Sequence, residues 1–440
     1  MSITDRYGLP LSTSSAIAAE HYQSGTDRLL SYGFGADQSF AAAVAADGEF
    51  ALAHAGRALF ALFQGDGAAA KAAIERARGP VARATRRERQ HVEALAAIAG
   101  GEAARGLGLI EEHVREFPRD ALLVHQAGSA IGLGGRADRE EHRVAFVERL
   151  APAYGDDWWF QSALAFTYLE VGRYEESRRL SERSLAQYPG NANASHNIAH
   201  VCYETVDNEG GIAMLSHWLD DYDRRAPFYC HLAWHLALFE LQCGRPARAF
   251  AIHERDIATS ANARLAMIDG SALLWRFELD GVKVGPLPWR TLAGLAARVT
   301  RPGFIFGDIH AALAYASVGD DGALTALIEG LKALDATGHP IAGTVALPLV
   351  RGVAAYVAGD YAGALAHFES VDGQIHRVGG SHAQWELFEE TMVVCHLRLG
   401  RHDDAARLLR RRLASRPSPR DLAWVGQASS ASPSPVPRQP

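Results

Sequence analysis

Apolar residues recur along this chain at three- and four-residue spacing, in paired runs separated by a glycine. That period places them on one face of an α-helix, so each pair of runs predicts two amphipathic helices joined by a tight turn. The clearest copy is "ALAFTYLEVGRYEESRRLSERSLAQYPGN", residues 163 to 191, which turns at Gly172 and closes at Pro189. Further copies centre on Gly359 and Gly400, and weaker ones on Gly65, Gly101, Gly134, Gly210, Gly244 and Gly319. Most steps between neighbours are 33 to 41 residues, and the step of 75 from Gly244 to Gly319 leaves room for one degenerate copy. A glycine at the turn supplies the left-handed backbone that ends the first helix. Small residues early in the second helix, such as Ala249, Ala364 and Ala405, let the two helices approach closely. One hairpin cannot cover its own apolar face, but stacked hairpins bury a continuous core. No strand-like alternation of any length occurs, so almost no sheet is expected.

The pattern resembles the tetratricopeptide repeat (TPR). Leu164, Tyr168, Gly172, Tyr174, Leu185 and Pro189 stand at its signature positions, while Ser177 and Ser184 replace the usual small alanines. The expected fold is all-α, a TPR-like superhelix of nine to eleven hairpins over residues 31–415 as a single domain. An N-terminal segment, 1–30, precedes it. A Pro/Ser-rich tail, 416–440, is expected to be disordered, with Trp424 hinting at a transient contact.

The 440 residues are 48% hydrophobic, enough for a large core, and the net charge is −7. That balance argues against a nucleic-acid partner. The N-terminus lacks a basic region followed by an apolar run, so no signal peptide is expected. No stretch of eighteen apolar residues predicts a membrane span. Cys202, Cys230, Cys243 and Cys395 form no CxxC pattern and read as reduced thiols in a cytoplasmic protein.

Histidines carry the candidate chemistry. His196 and His200 lie four apart in "SHNIAHVCYE", and His231 and His235 repeat that spacing in "YCHLAWHLAL". On a helix each pair shares one face, and Glu204 continues the first stripe. Registered on Gly172 and Gly244, both pairs fall on first helices, which face the bore in repeats of this kind. "FIFGDIHAALAYASVG" places Asp308 and His310 near the start of another first helix. "VGGSHAQWELFEE" places His382 and Gln384 after a Gly-Gly break, with Ser381 as a helix cap.

The strings "RERQHVEAL", "IAHVCYETVDNEGGIAMLSHW", "CHLAWHLALFELQCGRPARAFAIHERDI", "FGDIHAALAYA" and "GGSHAQWELFEETM" make the chain resemble the tetratricopeptide repeat protein 38 family over roughly residues 30 to 415. The resemblance implies a shared fold and His-lined segments, without a reaction. Where members often carry Asn and Trp between the second histidine pair, this chain has Leu232, Ala233 and Trp234.

Three functional readings follow. In the first, a pocket binds a small ligand, with catalysis of a hydrolase, lyase or isomerase type. His200 or His235 is the base, Asp308 its orienting partner, and His196, His231, His310, His382, Gln384 and Trp234 line the ligand site, with Trp158 and Trp159 as further walls. In the second, His196, His200, His231 and His235 hold zinc or another divalent metal, because neutral imidazole nitrogens suit such ions. In the third, the groove is a scaffold for a peptide or partner helix. His54, His113, His142, His367 and His402 read as surface or satisfied core residues. No GxSxG elbow or phosphate-loop order is present.

Overall fold

The computed structural model describes residues 3–430. Among them, the one β feature is an isolated bridge between Thr4 and Pro10; otherwise the chain is helical. It divides into two compact units, where the sequence suggests one domain. The first comprises Met1–Val201, His217–Leu232 and Ser260–Arg264, and the second Cys202–Ser216, Ala233–Thr259 and Leu265–Pro440.

The first unit is built on α1 (Ala16–Leu30), α2 (Ala36–Ala46), α3 (Ala51–Gln64), α4 (Gly67–Val81), α5 (Arg86–Ala99), α6 (Ala103–Glu116), α7 (Ala121–Leu133), α8 (Arg139–Tyr154), α9 (Trp158–Glu170) and α10 (Tyr174–Gln187). Successive helices pack as hairpins, and first helices also pack on one another, as α3 does on α5. Residues 16–30, expected to precede the repeats, are thus the first helix of a hairpin with α2. Close approach is written into small residues: a Cβ on Gly25 or Gly56 would come within 2.7 Å or 2.5 Å of the Phe40 ring. The chain continues through α11 (Ala192–Glu204), α12 (Asn208–Asp220) and α13 (Tyr229–Gln242), across which the division between the units runs.

The second unit takes in α14 (Pro246–Ile252), α15 (Ala263–Leu279), α16 (Pro286–Val299), α17 (Ile305–Val318), α18 (Asp321–Ala336), α19 (Leu347–Val357) and α20 (Tyr361–Glu369). The short α21 (His382–Trp385) then leads into α22 (Leu387–Arg398), α23 (His402–Ser415) and α24 (Pro419–Ser430). Helices α15 and α16 fill the long step between Gly244 and Gly319 as the degenerate copy. Ala249, Ala364 and Ala405 are fully buried, as close helix packing requires. Ser177 and Ser184 are buried too; Ser184 Oγ donates to the Trp158 carbonyl at 2.6 Å, which satisfies the hydroxyl that replaces alanine.

One turn differs from expectation where a glycine was expected to hold it. Gly172 has φ +78, as a helix-ending glycine should, but Gly210 lies within α12. The left-handed position between α11 and α12 is held instead by Val206, with φ +61. A β-branched side chain there costs roughly 1–2 kcal/mol, so the turn stores strain that a glycine would relieve.

Residues 416–430 also differ from the disordered tail expected of them. They include α24, with Arg416, Ser418, Arg420, Asp421 and Trp424 all buried; residues 431–440 lie outside the described residues. The compositional reading failed because it weighed Pro and Ser and overlooked the evenly spaced arginines.

Candidate functional site

Helix α11 carries His196 and His200 one turn apart, and α13 carries His231 in its first turn. All three are buried, at 6%, 1% and 5% exposure. Their Nε2 atoms converge: His200 lies 2.9 Å from His196, and His231 lies 3.1 Å from His196. The rings of His196 and His200 meet edge to face at 4.4 Å. Phe228 closes on His196 and His231 at 5.0 Å, and Phe166 stacks over His196 at 6.0 Å. His235 follows one turn after His231 on α13, fully buried, with Trp234 beside it in sequence.

A single ring nitrogen cannot serve as the middle link of a hydrogen-bonded chain. A ring nitrogen carries either one proton or one lone pair. His196 Nε2 therefore cannot donate to one neighbour while accepting from the other. Three lone pairs aimed at one cation remove the conflict. Around tetrahedral zinc, with Zn–N of 2.0–2.1 Å, neighbouring nitrogens stand about 3.3 Å apart. The observed separations fall within a few tenths of an ångström of that. Burial, and then the neighbouring His200 and His231, hold His196 well below the ordinary histidine range. It is therefore neutral, the form that ligates metals.

The remaining predicted residues are engaged elsewhere. Asp308, predicted to orient a histidine base, uses Oδ2 to accept from the Gly303 amide at 2.9 Å, and Oδ1 has no hydrogen-bond partner. Burial pushes its carboxyl up to about 7. His310 Nδ1 donates to the Phe306 carbonyl at 2.7 Å, and burial pushes its ring down to about 4. Gln384, expected to receive a ligand, is taken by the helix it starts: its Oε1 accepts from the Ser381 amide at 3.1 Å. Trp158 and Trp159 are core residues of the first unit, Trp158 stacking on Tyr188 at 4.3 Å. Local backbone donors thus claim Asp308 and Gln384 ahead of any ligand.

His382 belongs to a charged network that sequence reasoning missed. Its Nδ1 lies 3.0 Å from Glu204 and its Nε2 3.6 Å from Glu386. Burial works against the cation, but Glu386 and Glu204 outweigh it and raise the imidazole to about 9. Glu386 also takes Arg416 at 2.8 Å, Arg412 at 3.3 Å and the Tyr203 hydroxyl. Burial opposes its charge as well, yet Arg416, His382 and Arg412 hold the carboxyl well below the usual range. Glu390 pairs with Arg420 at 2.7 Å and Arg276 at 3.2 Å, and Arg420 reaches Asp280 at 2.9 Å. Arg412, Arg416 and Arg420 are spaced by four, as are Glu386 and Glu390, which was the available signal.

The first unit holds a smaller relative of that network. Asp120, fully buried, takes Arg87 at 2.8 Å, His91 at 3.0 Å and His113 at 3.1 Å. His113, read as a surface or satisfied core residue, is buried and paired. None of the four cysteines is in a disulfide, and no helix among the described residues is long and apolar enough to cross a membrane.

No family model matches the chain. Among solved structures, the human IFIT1 dimer with m7Gppp-AAAA is similar over 97% of this chain and 97% of its own, at 12% identity and a TM-score of 0.43. The APC/C hetero-tetramer Cut9–Hcn1 matches over 87% of this chain and 78% of the other, at 12% identity and a TM-score of 0.38. The TPR domain of P58(IPK) matches over 90% and 89%, at 14% identity and a TM-score of 0.21. Likeness at this level says nothing of what this chain binds or does.

Proposed function

We propose that this chain is a TPR-like helical-repeat protein that holds a divalent transition metal, zinc by preference, on His196, His200 and His231. His235, the fourth histidine of the predicted set, follows His231 by one turn of α13. The observation that carries the reading is the convergence of three buried imidazole Nε2 atoms at 2.9 and 3.1 Å. An all-nitrogen set from four histidines is closed, which is the pattern of a structural metal; a set of three leaves one position for water or substrate. The resemblance to the tetratricopeptide repeat protein 38 family supports the same region, since "IAHVCYETVDNEGGIAMLSHW" and "CHLAWHLALFEL" carry His200, His231 and His235. The net charge of −7 supports leaving nucleic acid out of the proposed ligands.

The acid–base pocket has weaker support, because Asp308 and Gln384 are engaged by Gly303 and Ser381. A scaffold that grips a peptide is supported by the hairpin architecture and is compatible with a bound metal.

Elemental analysis of the purified full-length chain tests the proposal, with His196→Ala and His200→Ala as comparisons. About one zinc-type ion per chain, lost in both folded variants, is the expected result. A wild-type chain that takes up no metal from micromolar zinc at neutral pH overturns it.

A further inference from the structure

Helix α1 ends in a turn whose amides fold back onto the helix: the Gly33 N–H donates to the Arg28 carbonyl at 2.7 Å and the Tyr32 N–H to the Leu29 carbonyl at 3.2 Å. Such a turn puts one residue in the left-handed region, and glycine is the usual choice there. This chain has Tyr32 in it, at φ +56, with Gly33 one position too late. An aromatic residue held against that preference is strained, and it persists only where its surroundings fix it. Two hydrogen bonds within the first unit do so. The Tyr32 carbonyl accepts from the Tyr222 hydroxyl at 2.5 Å, and the Ser31 carbonyl accepts at 3.1 Å from the amide of Ala192, which starts α11. The turn thereby sets a ring in place. Tyr32 stacks on Phe228 at 4.4 Å and meets Phe63 and His125 at 5.3 and 5.7 Å. Phe228 in turn closes on His196 and His231, 5.0 Å from each. Exposure rises in the same order: His231 is 5% exposed and Phe228 9%, while Tyr32 is half-buried. Tyr32 is therefore the outer layer over Phe228, and Phe228 the inner layer over the histidines. On the other side of His196, Phe166 is covered by the buried Arg143, whose guanidinium lies 5.1 Å from the ring centre.

We infer that Tyr32 is a stopper over the histidine site, setting how fast a metal ion enters and leaves without binding it. Passage beside Phe228 requires that ring to swing aside. Phe228 cannot swing while Tyr32 is stacked on it, and Tyr32 is held by its own backbone turn and by Tyr222. The inference rests on the metal reading and adds the control of exchange at that site. A stopper slows entry and exit alike, so it changes rates and leaves the equilibrium alone. A residue that shapes the ligand set changes affinity instead.

Stopped-flow measurement of zinc uptake by the full chain, and of zinc release to an excess of chelator, tests it, with affinity read by competition. Tyr32→Gly removes the ring and suits the left-handed turn. Tyr222→Phe frees the Tyr32 carbonyl and leaves every ring in place, and Tyr32→Phe keeps the stack. Loss of one aromatic stack corresponds to about tenfold in rate at most. Uptake and release are both expected to quicken by about fivefold in Tyr32→Gly, with affinity within about twofold of the wild type, and to quicken less in Tyr222→Phe. Tyr32→Phe should exchange as the wild type does. Rates unchanged in Tyr32→Gly and Tyr222→Phe chains that still bind zinc overturn the stopper alone. So does a loss of affinity in Tyr32→Gly with uptake unchanged, which makes the ring a support for the ligand set. A wild-type chain that takes up no zinc overturns the metal reading and this inference with it.

Discussion

The two polar centres of this chain bury their titratable groups by opposite means. Around Glu386, every buried charge has a counter-charge: Arg412, Arg416 and His382 answer one carboxylate, and Arg420 and Arg276 answer Glu390. Around His196, the described contacts are imidazole to imidazole and imidazole to phenylalanine, and burial holds the His196 ring neutral. The first arrangement answers each of these charges from within the protein. The second concentrates lone pairs in an apolar setting, where a cation gains far more than it would in water. The contrast separates a region built for cohesion from one built to hold something.

The largest way to break the comparison is to unbalance the charged centre. Glu386→Gln leaves Arg412 and Arg416 buried with too little negative charge, and is expected to cost about 3–5 kcal/mol in urea denaturation. The matching change in the neutral centre, His200→Ala, leaves no buried charge behind. Its effect should appear chiefly in the presence of metal. Zinc at a hundredfold over its dissociation constant should stabilise the wild type by about 2.7 kcal/mol and the variant hardly at all. A scanning-fluorimetry series with and without zinc reads both.

Asp308 sharpens the comparison as a buried carboxyl with no counter-charge beside it among the described residues. Its folded value, about 7, lies above the ordinary 3.8, so its contribution to stability is present below pH 4 and lost as pH rises through 7. Asp308→Asn should therefore stabilise the chain by about 1–3 kcal/mol at pH 8 and leave it little changed at pH 4.

His382 is the opposite case, raised to about 9 by Glu386 and Glu204. The stability it lends is fully present below pH 6.5 and lost as pH rises through 9. Glu204→Gln should lower the His382 midpoint towards the ordinary range, read from its ring resonances by NMR. For His196 the direction reverses. Its depressed value means that stability is present above pH 6.5 and lost as the pH falls below it, and bound metal should leave in the same direction.

Most of the helical architecture is legible in the spacing of apolar residues and turn glycines, including the copy hidden between Gly244 and Gly319. Val206 is illegible for a physical reason: a β-branched residue is the last choice for a left-handed turn, so the eye goes to Gly210 instead. The histidine pairs are visible because one helix fixes i and i+4 on one face. Their convergence across α11 and α13 follows from hairpin register. Asp308 and Gln384 mislead because a polar residue near a helix start meets the unsatisfied amides of its own backbone first. The charged network hides because its members are remote in sequence, as Asp280 is from Arg420, and because a Pro/Ser-rich stretch conceals a helix that buried arginines hold in place.

X-ray absorption at the edge of the metal bound to the full-length chain tests the central claim most directly. The account predicts a first shell of nitrogen at about 2.0–2.1 Å with imidazole scattering from at least three rings, reduced in His231→Ala. A shell of oxygen alone, or one that contains sulfur, or one unchanged by that substitution, would contradict it.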